Sequence, residues 1–300
     1  MEPLTRALRS LDGLSVGDAF GELFFMPGEA AYRFIRARAI PDGSWRYTDD
    51  TEMAISIVEV LAGHGSGDQD ALAAAVAARM DPSRRYGAGA YGILTAIREG
   101  LPWERASRGA FQGRGSFGNG AAMRVAPLGA YFADDLERCV AEARLSSEIT
   151  HAHEEGIAGG VAVAVATALC WRHRNEPLAP TAFLEAVREL CPESYTREGI
   201  EAALRLPEEA DVVQAAQALG NGSGVTAPDT VPLCLWLAAR HFGRHVDVRH
   251  VDGRFVDALW ETVAALGDRD TTCAIVGGIL AMSAPVPAEW LERREPLPEV

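Results

Sequence analysis

A chain of 300 residues, 48% hydrophobic and 23% charged, carries enough apolar material for a substantial core and has the balance of a soluble globular protein. Its 28 basic residues against 42 acidic ones leave a formal charge of −14, which excludes a general basic surface for nucleic acid or an anionic membrane. An anionic substrate would need local help from a metal ion, backbone N–H groups or a few arginines.

In chain order, the opening MEPLTRALRSLDG lacks the basic and apolar regions of a signal peptide. GDAFGE follows from Gly17, where Asp18 reads as a structural hydrogen-bonding residue. YTDDTEMAIS, Tyr47 to Ser56, crowds two carboxylates between threonines at the start of a helical pattern. Asp49 as N-cap with Glu52 three residues on has the form of a capping box, and acids at a helix start gain roughly 0.3–1 kcal/mol. Trp45, just upstream, suits packing more than a substrate mouth. Helical spacing continues in EMAISIVEVLAG from Glu52, DALAAAVAARM from Asp70 and DLERCVAEARLSSEI from Asp135. It recurs in PTAFLEAVREL from Pro180, EADVVQAAQAL from Glu209 and FVDALWETVAAL from Phe255.

The most apolar run, GIAGGVAVAVATALCW from Gly156 to Trp171, falls short of the roughly 20 residues that span a bilayer and reads as a buried core helix. Period-2 runs are lacking, and no linker-like stretch or fixed repeat appears. The expectation is an all-α fold: a single compact orthogonal bundle of about a dozen helices over residues 1–300. Five scattered cysteines without a C-x-x-C pair argue against disulfides or a zinc ribbon and fit a reducing, cytoplasmic setting.

A second acidic cluster, LGDRDTTCAIVGGILA from Leu266, places Asp268, Asp270 and Thr271 at another helix start. A cap needs one side-chain oxygen, so each cluster holds a surplus aspartate. Together, Thr48, Asp49, Asp50, Asp268, Asp270 and Thr271 would form an all-oxygen cage suited to Mg²⁺, Mn²⁺ or Ca²⁺, and four carboxylates call for two ions. GRGSFGNGAAMR follows no strand and is no Walker loop. Its glycines permit close ligand approach, and the helix opening at Ala121 offers N–H donors; a plain turn fits equally well. Arg124 is open between a phosphate contact and a buried ion pair. HFGRH, with His241 and His245, lacks the glutamate of a metalloprotease helix and reads as a helix end.

Five segments in order, GDAFGE, YTDDTEMA, GSFGNGAAMRVAPLG, THAHEEGIAGGVA and GDRDTTCAIVGG, resemble the ADP-ribosylglycohydrolase family over nearly the whole chain. The resemblance implies an all-α fold with two Mg²⁺ or Mn²⁺ ions held by Thr48, Asp49, Asp50, Asp268, Asp270 and Thr271. It further implies a diphosphate cradle at Gly115, Ser116, Phe117, Gly118, Asn119 and Gly120, and a nucleotide contact from His151. His153 has no such support. Family members often carry a glutamate where this chain has Phe25, so Glu22 or Glu29 would have to act in its place. The expected reaction is hydrolysis of the C1″ bond of an ADP-ribosylated protein or conjugate, with Asp49 or Asp50 steering water and Asp270 essential. An inactive ADP-ribose binder and a metal-dependent phosphohydrolase are the alternatives.

Overall fold

The structure, a computed structural model, describes residues 1–242 and 253–299. The first half of the chain forms α1 (Pro3–Glu22), α2 (Gly28–Ala37), α3 (Asp49–His64), α4 (Gln69–Arg79), a 3₁₀ turn (Pro82–Arg84), α5 (Ala88–Arg98), α6 (Trp103–Gly113), α7 (Gly120–Arg124), α8 (Ala126–Tyr131) and α9 (Leu136–Glu148). The second half forms α10 (Glu154–Arg172), α11 (Pro180–Leu190), α12 (Tyr195–Leu204), α13 (Val212–Leu219), α14 (Ala227–Phe242), α15 (Gly253–Ala264), α16 (Arg269–Leu280) and α17 (Ala288–Arg293). The described residues form seventeen α-helices against the dozen expected, because short elements such as α7, α8 and α17 are too brief to leave a periodic signature. Among the described residues there is no strand, only isolated bridges at Trp45–Arg294 and Gly118–Thr226.

α10 runs through the middle of the bundle. Seventeen of its residues, from Glu155 to Trp171, are buried, and it packs against α7, α8, α9, α11 and α14. The helix is long and apolar enough to cross a membrane, but neighbouring helices enclose it. A helix apolar on every face belongs at such a centre.

The two acidic segments meet because α1 and α16 lie backbone against backbone. A Cβ on Gly17 would sit 2.1 Å from the Cys273 carbonyl oxygen, and one on Gly21 would sit 2.2 Å from that of Arg269. Glycines one turn apart on α1 therefore let α16 approach antiparallel until side chains of α1 reach the entrance of α16. An aromatic knot fixes the other partner. Phe20 packs on Trp45, Trp260 and Trp290 with ring centroids 5.8, 5.0 and 4.8 Å away. The backbone of Trp45 accepts a 2.9 Å hydrogen bond from Glu295. Trp45 is thus a packing residue, and burying each such ring contributes roughly 1.5–3 kcal/mol. Its anchoring holds Tyr47–Asp50 against α1.

Candidate active site

Thr48, not Asp49, is the N-cap of α3, its hydroxyl accepting from the Asp50 N–H at 3.4 Å. Glu52 closes no capping box: it turns away and accepts from the Asp81 N–H at 2.9 Å and the Tyr86 hydroxyl at 2.7 Å. Both aspartates of the cluster are therefore surplus to capping. At α16, Asp268 stands at the N-cap position without a side-chain capping bond. Its Oδ2 instead accepts from Asn119 Nδ2 at 2.8 Å, while Asp270 Oδ1 accepts from the Thr271 N–H at 2.9 Å.

The two entrances converge on α1. Asp18, Asp50 and Asp270, all buried, each present a carboxylate oxygen within 4.8 Å of the others. Asp18 has the structural role expected of it, accepting from the hydroxyls of Thr48 (2.9 Å) and Thr51 (2.6 Å) and from both of their N–H groups. It also stands in the cluster, which the sequence reading did not foresee; the local signal is a helical Asp framed by the close-contact glycines Gly17 and Gly21. Thr48 Oγ1 lies 2.9 Å from Asp18 and 3.0 Å from Asp50. One hydroxyl proton serves only one of those carboxylates.

Electrostatics make the shortage plain. Burial, opposed by the threonine hydrogen bonds, pushes Asp18 up to about 6. Burial followed by the charge of Asp18 pushes Asp49 up to about 8. Asp50 is held well above the carboxylate range by burial and then Asp18, and Asp270 by burial and then Asp268. Asp50 Oδ1 is buried with no hydrogen-bond partner among the described residues. Hard oxygen donors, an orphaned carboxylate oxygen and uncompensated like charges are the donor set of a hard divalent cation. Asp49, Asp268 and Thr271 border the Asp18–Asp50–Asp270 trio rather than belong to it; Thr271 is buried, and Asp49 and Asp268 act on the trio through their charge.

The glycine loop abuts this cluster through Asn119, which donates both to Asp268 and, at 3.1 Å, to Thr230. The loop is held by Asn119 N–H on the Val225 carbonyl and Ala227 N–H on that of Phe117, each at 3.1 Å. α7 behind it has only five residues, so the donors on offer are those of the loop itself more than of a helix dipole. His151 lies under the loop: a Cβ on Gly120 would meet its ring at 2.7 Å. Arg124 Nη1 donates to Thr150 Oγ1 at 2.9 Å, and that hydroxyl lies 2.8 Å from His151 Nδ1. The network assigns the proton to Nε2, facing Gly118 and Gly120. Burial, then Arg124, lowers His151 to about 3 and keeps it neutral. Arg124 is itself fully buried on Thr150 and the Ser146 carbonyl and forms no ion pair among the described residues.

Phe117 and Phe111 stand exposed at the loop's rim, ring centroids 6.5 Å apart, with Phe117 5.5 Å from His153. Phe111 and Gln112 hold φ of 52° and 63°, an unfavourable pair of left-handed residues. His153 serves as N-cap of α10. Phe25, just past the end of α1, is exposed, with the guanidinium carbons of Arg85 and Arg269 4.5 and 5.2 Å from its ring centroid. Glu22 pairs with Arg85, and Glu29 is exposed at the start of α2. Away from the site, His241 bonds Glu261 at 2.6 Å near the end of the described part of α14, and His245 lies outside the described residues.

A sequence profile of the ADP-ribosylglycohydrolase family matches residues 1–299. The chain belongs to that family. It is accordingly an enzyme of the class that hydrolyses glycosyl bonds. The chain is similar to ADP-ribosylhydrolase ARH3 of Bos taurus, 27% identical over 276 residues covering 83% of this chain and 74% of that one. It is also similar to the ADP-ribosylarginine hydrolase Tri1 of Pseudomonas putida, 27% identical over 307 residues, 97% of this chain and 75% of that one. Among solved structures, a chain of an ADP-ribosylglycohydrolase-related protein complex shares the fold at a TM-score of 0.64 and 23% identity, over 98% of this chain and 93% of that chain.

Proposed function

We propose that this glycohydrolase cleaves the C1″ bond of ADP-ribosylated substrates and releases intact ADP-ribose, with two Mg²⁺ or Mn²⁺ ions held between the α3 and α16 entrances. The observation that carries the reading is the trio Asp18, Asp50 and Asp270, whose orphaned oxygen and mutual repulsion call for divalent cations. Thr48, Asp49, Asp268 and Thr271 complete the oxygen surround. When bound, the ions would supply Lewis-acid polarisation of water and a hold on the ribose 2″ and 3″ hydroxyls.

The protein's own groups do the rest. Within the Gly115–Gly120 cradle, where the N–H groups of Gly115, Gly118 and Asn119 are already bonded inside the protein, those of Ser116, Phe117 and Gly120 receive the diphosphate, and His151, neutral with Nε2–H toward the glycines, adds a donor. Asn119 ties that cradle to Asp268, so phosphates held in the loop fix the distal ribose at the acids. The exposed rings of Phe111 and Phe117 offer a planar base a stacking surface at the far end. Asp49 or Asp50 accepts the proton of the attacking water, and the ring charge of an oxocarbenium-like transition state is met by the remaining carboxylates. Five buried free thiols support a reducing, cytoplasmic setting.

The test is a release assay with Mg²⁺ or Mn²⁺ on serine-, arginine-, phosphate- and carboxylate-linked ADP-ribose, products read by mass spectrometry. Whole ADP-ribose is expected. AMP would indicate a phosphohydrolase, and tight ADP-ribose binding without turnover would indicate a reader, the reading that Phe25 at the glutamate's place favours.

A further inference from the structure

Two segments far apart in their local patterns, the end of α7 and the turn before α10, meet beneath the glycine loop. Arg124 closes α7, is fully buried and makes no ion pair among the described residues. Neutral oxygens take up the ends of its guanidinium instead. Nη1 donates to Thr150 Oγ1 at 2.9 Å, and Nη2 donates to the Ser146 carbonyl at 2.8 Å. Thr150 is also fully buried, and its hydroxyl lies 2.8 Å from His151 Nδ1. His151 is only 4% exposed, and its other ring nitrogen, Nε2, makes no hydrogen bond among the described residues. That nitrogen faces the cradle: a Cβ on Gly118 or Gly120 would lie 3.3 or 2.9 Å from it.

A guanidinium only donates, so Nη1 occupies one lone pair of Thr150 Oγ1 and leaves the hydroxyl its single proton to place. The acceptor that a threonine hydroxyl commonly finds is the carbonyl four residues back, here that of Ser146. Nη2 of Arg124 already holds that carbonyl, and the N–H groups of one guanidinium plane repel a hydroxyl proton turned toward them. Nδ1 of His151 is the acceptor that remains. A proton on Nδ1 would use the hydroxyl's second lone pair and strand the hydroxyl hydrogen in a buried position, a bias of about tenfold or more against that tautomer. Burial, and then the charge of Arg124, oppose a second proton on the ring.

Resting on the reading of the glycine loop as a diphosphate cradle, we infer that Arg124, acting through Thr150, is a positioning residue for diphosphate recognition: it fixes His151 as the tautomer whose Nε2–H points at the loop. A neutral imidazole carries one N–H and one bare nitrogen. The other tautomer would turn a lone pair toward the phosphate oxygens and replace an attraction by a repulsion. A buried arginine without a counter-ion thereby gains a function at a distance from the ligand, one that an ion pair in its place would not supply.

The experiment records two-bond ¹H–¹⁵N spectra of the Mg²⁺-loaded full chain labelled at its seven histidines, with His151→Gln to assign the ring, and measures ADP-ribose affinity by calorimetry. Wild type should show His151 protonated at Nε2 and bare at Nδ1, and ADP-ribose should shift the Nε2 resonance. Thr150→Val removes the hydroxyl with little change of shape, and Arg124→Met frees both the hydroxyl and the Ser146 carbonyl. Each should show a proton on Nδ1 and bind ADP-ribose about tenfold more weakly, the scale of a charge-assisted hydrogen bond. Thr150→Ser should restore both properties. Thr150→Val carries the test by itself should Arg124→Met not fold. A proton on Nδ1 in wild type overturns the inference. So does weaker binding in Thr150→Val with Nε2 still protonated, the result of a purely structural brace, and so does a changed tautomer with affinity unmoved. Wild type that binds no ADP-ribose removes the cradle reading as well.

Discussion

Asp50 at the first turn of α3 and Asp270 at the first turn of α16 place carboxylate oxygens within 4.8 Å of each other, although they come from opposite ends of the chain. Two buried anions at that separation destabilise a protein unless a cation or protons compensate them.

Asp270→Asn separates a metal ligand from a structural carboxylate. A loss of at least about a hundredfold in ADP-ribose release is expected, comparable to losing a metal-site contact. The metal-free variant should be more stable than metal-free wild type, on the order of 1 kcal/mol or a few degrees in Tm, because one repelling charge is gone. Thermal unfolding in chelator reads the second outcome. A drop in stability with activity intact would mean that the residue only braces the helix start.

Metal-free protein should lose stability as pH rises from about 6.5 to about 8.5. The sign follows from Asp49, pushed up to about 8 by burial and the Asp18 charge, and from Asp50, raised further. An acid whose pKa is raised on folding binds more protons folded than unfolded throughout that window, so stability falls with pH. Saturating Mg²⁺ or Mn²⁺ should flatten the slope, since the cations replace the protons. Denaturant melts at both pH values, with and without metal, measure it.

Asn119→Ala should raise KM for ADP-ribosylated substrate more than it lowers kcat. Its amide joins Asp268 at 2.8 Å and Thr230 at 3.1 Å, and the variant leaves a partly buried carboxylate without its donor, at about 1–3 kcal/mol. Steady-state kinetics with calorimetric ADP-ribose binding checks the split.

Gly17→Ala links the helix contact to the site. The new methyl would meet the Cys273 carbonyl at 2.1 Å, forcing α1 away from α16 and Asp18 away from Asp270. A stability loss of about 1–3 kcal/mol is expected, together with a weakened affinity for Mn²⁺. Denaturant unfolding and Mn²⁺ titration should move together; unfolding alone would detach the glycine contact from the metal centre.

The helices were legible because their apolar periodicity is local. α3, α4, α9, α11, α13 and α15 fall on the segments whose spacing announces them, and α10 on the longest apolar run. The surplus of acids at two helix starts was legible as well, since a cap uses one oxygen wherever the helix lies. What the chain could not announce were relations between distant segments. Thr48 took the cap from Asp49, Asp18 entered the cluster, Arg124 went into the core on Thr150 and the Ser146 carbonyl, and Arg85 and Arg269 gathered on Phe25. Those outcomes depend on how closely α1 and α16 approach. Helical periodicity says which face of a helix is buried, but not which backbone it will meet there or at what distance.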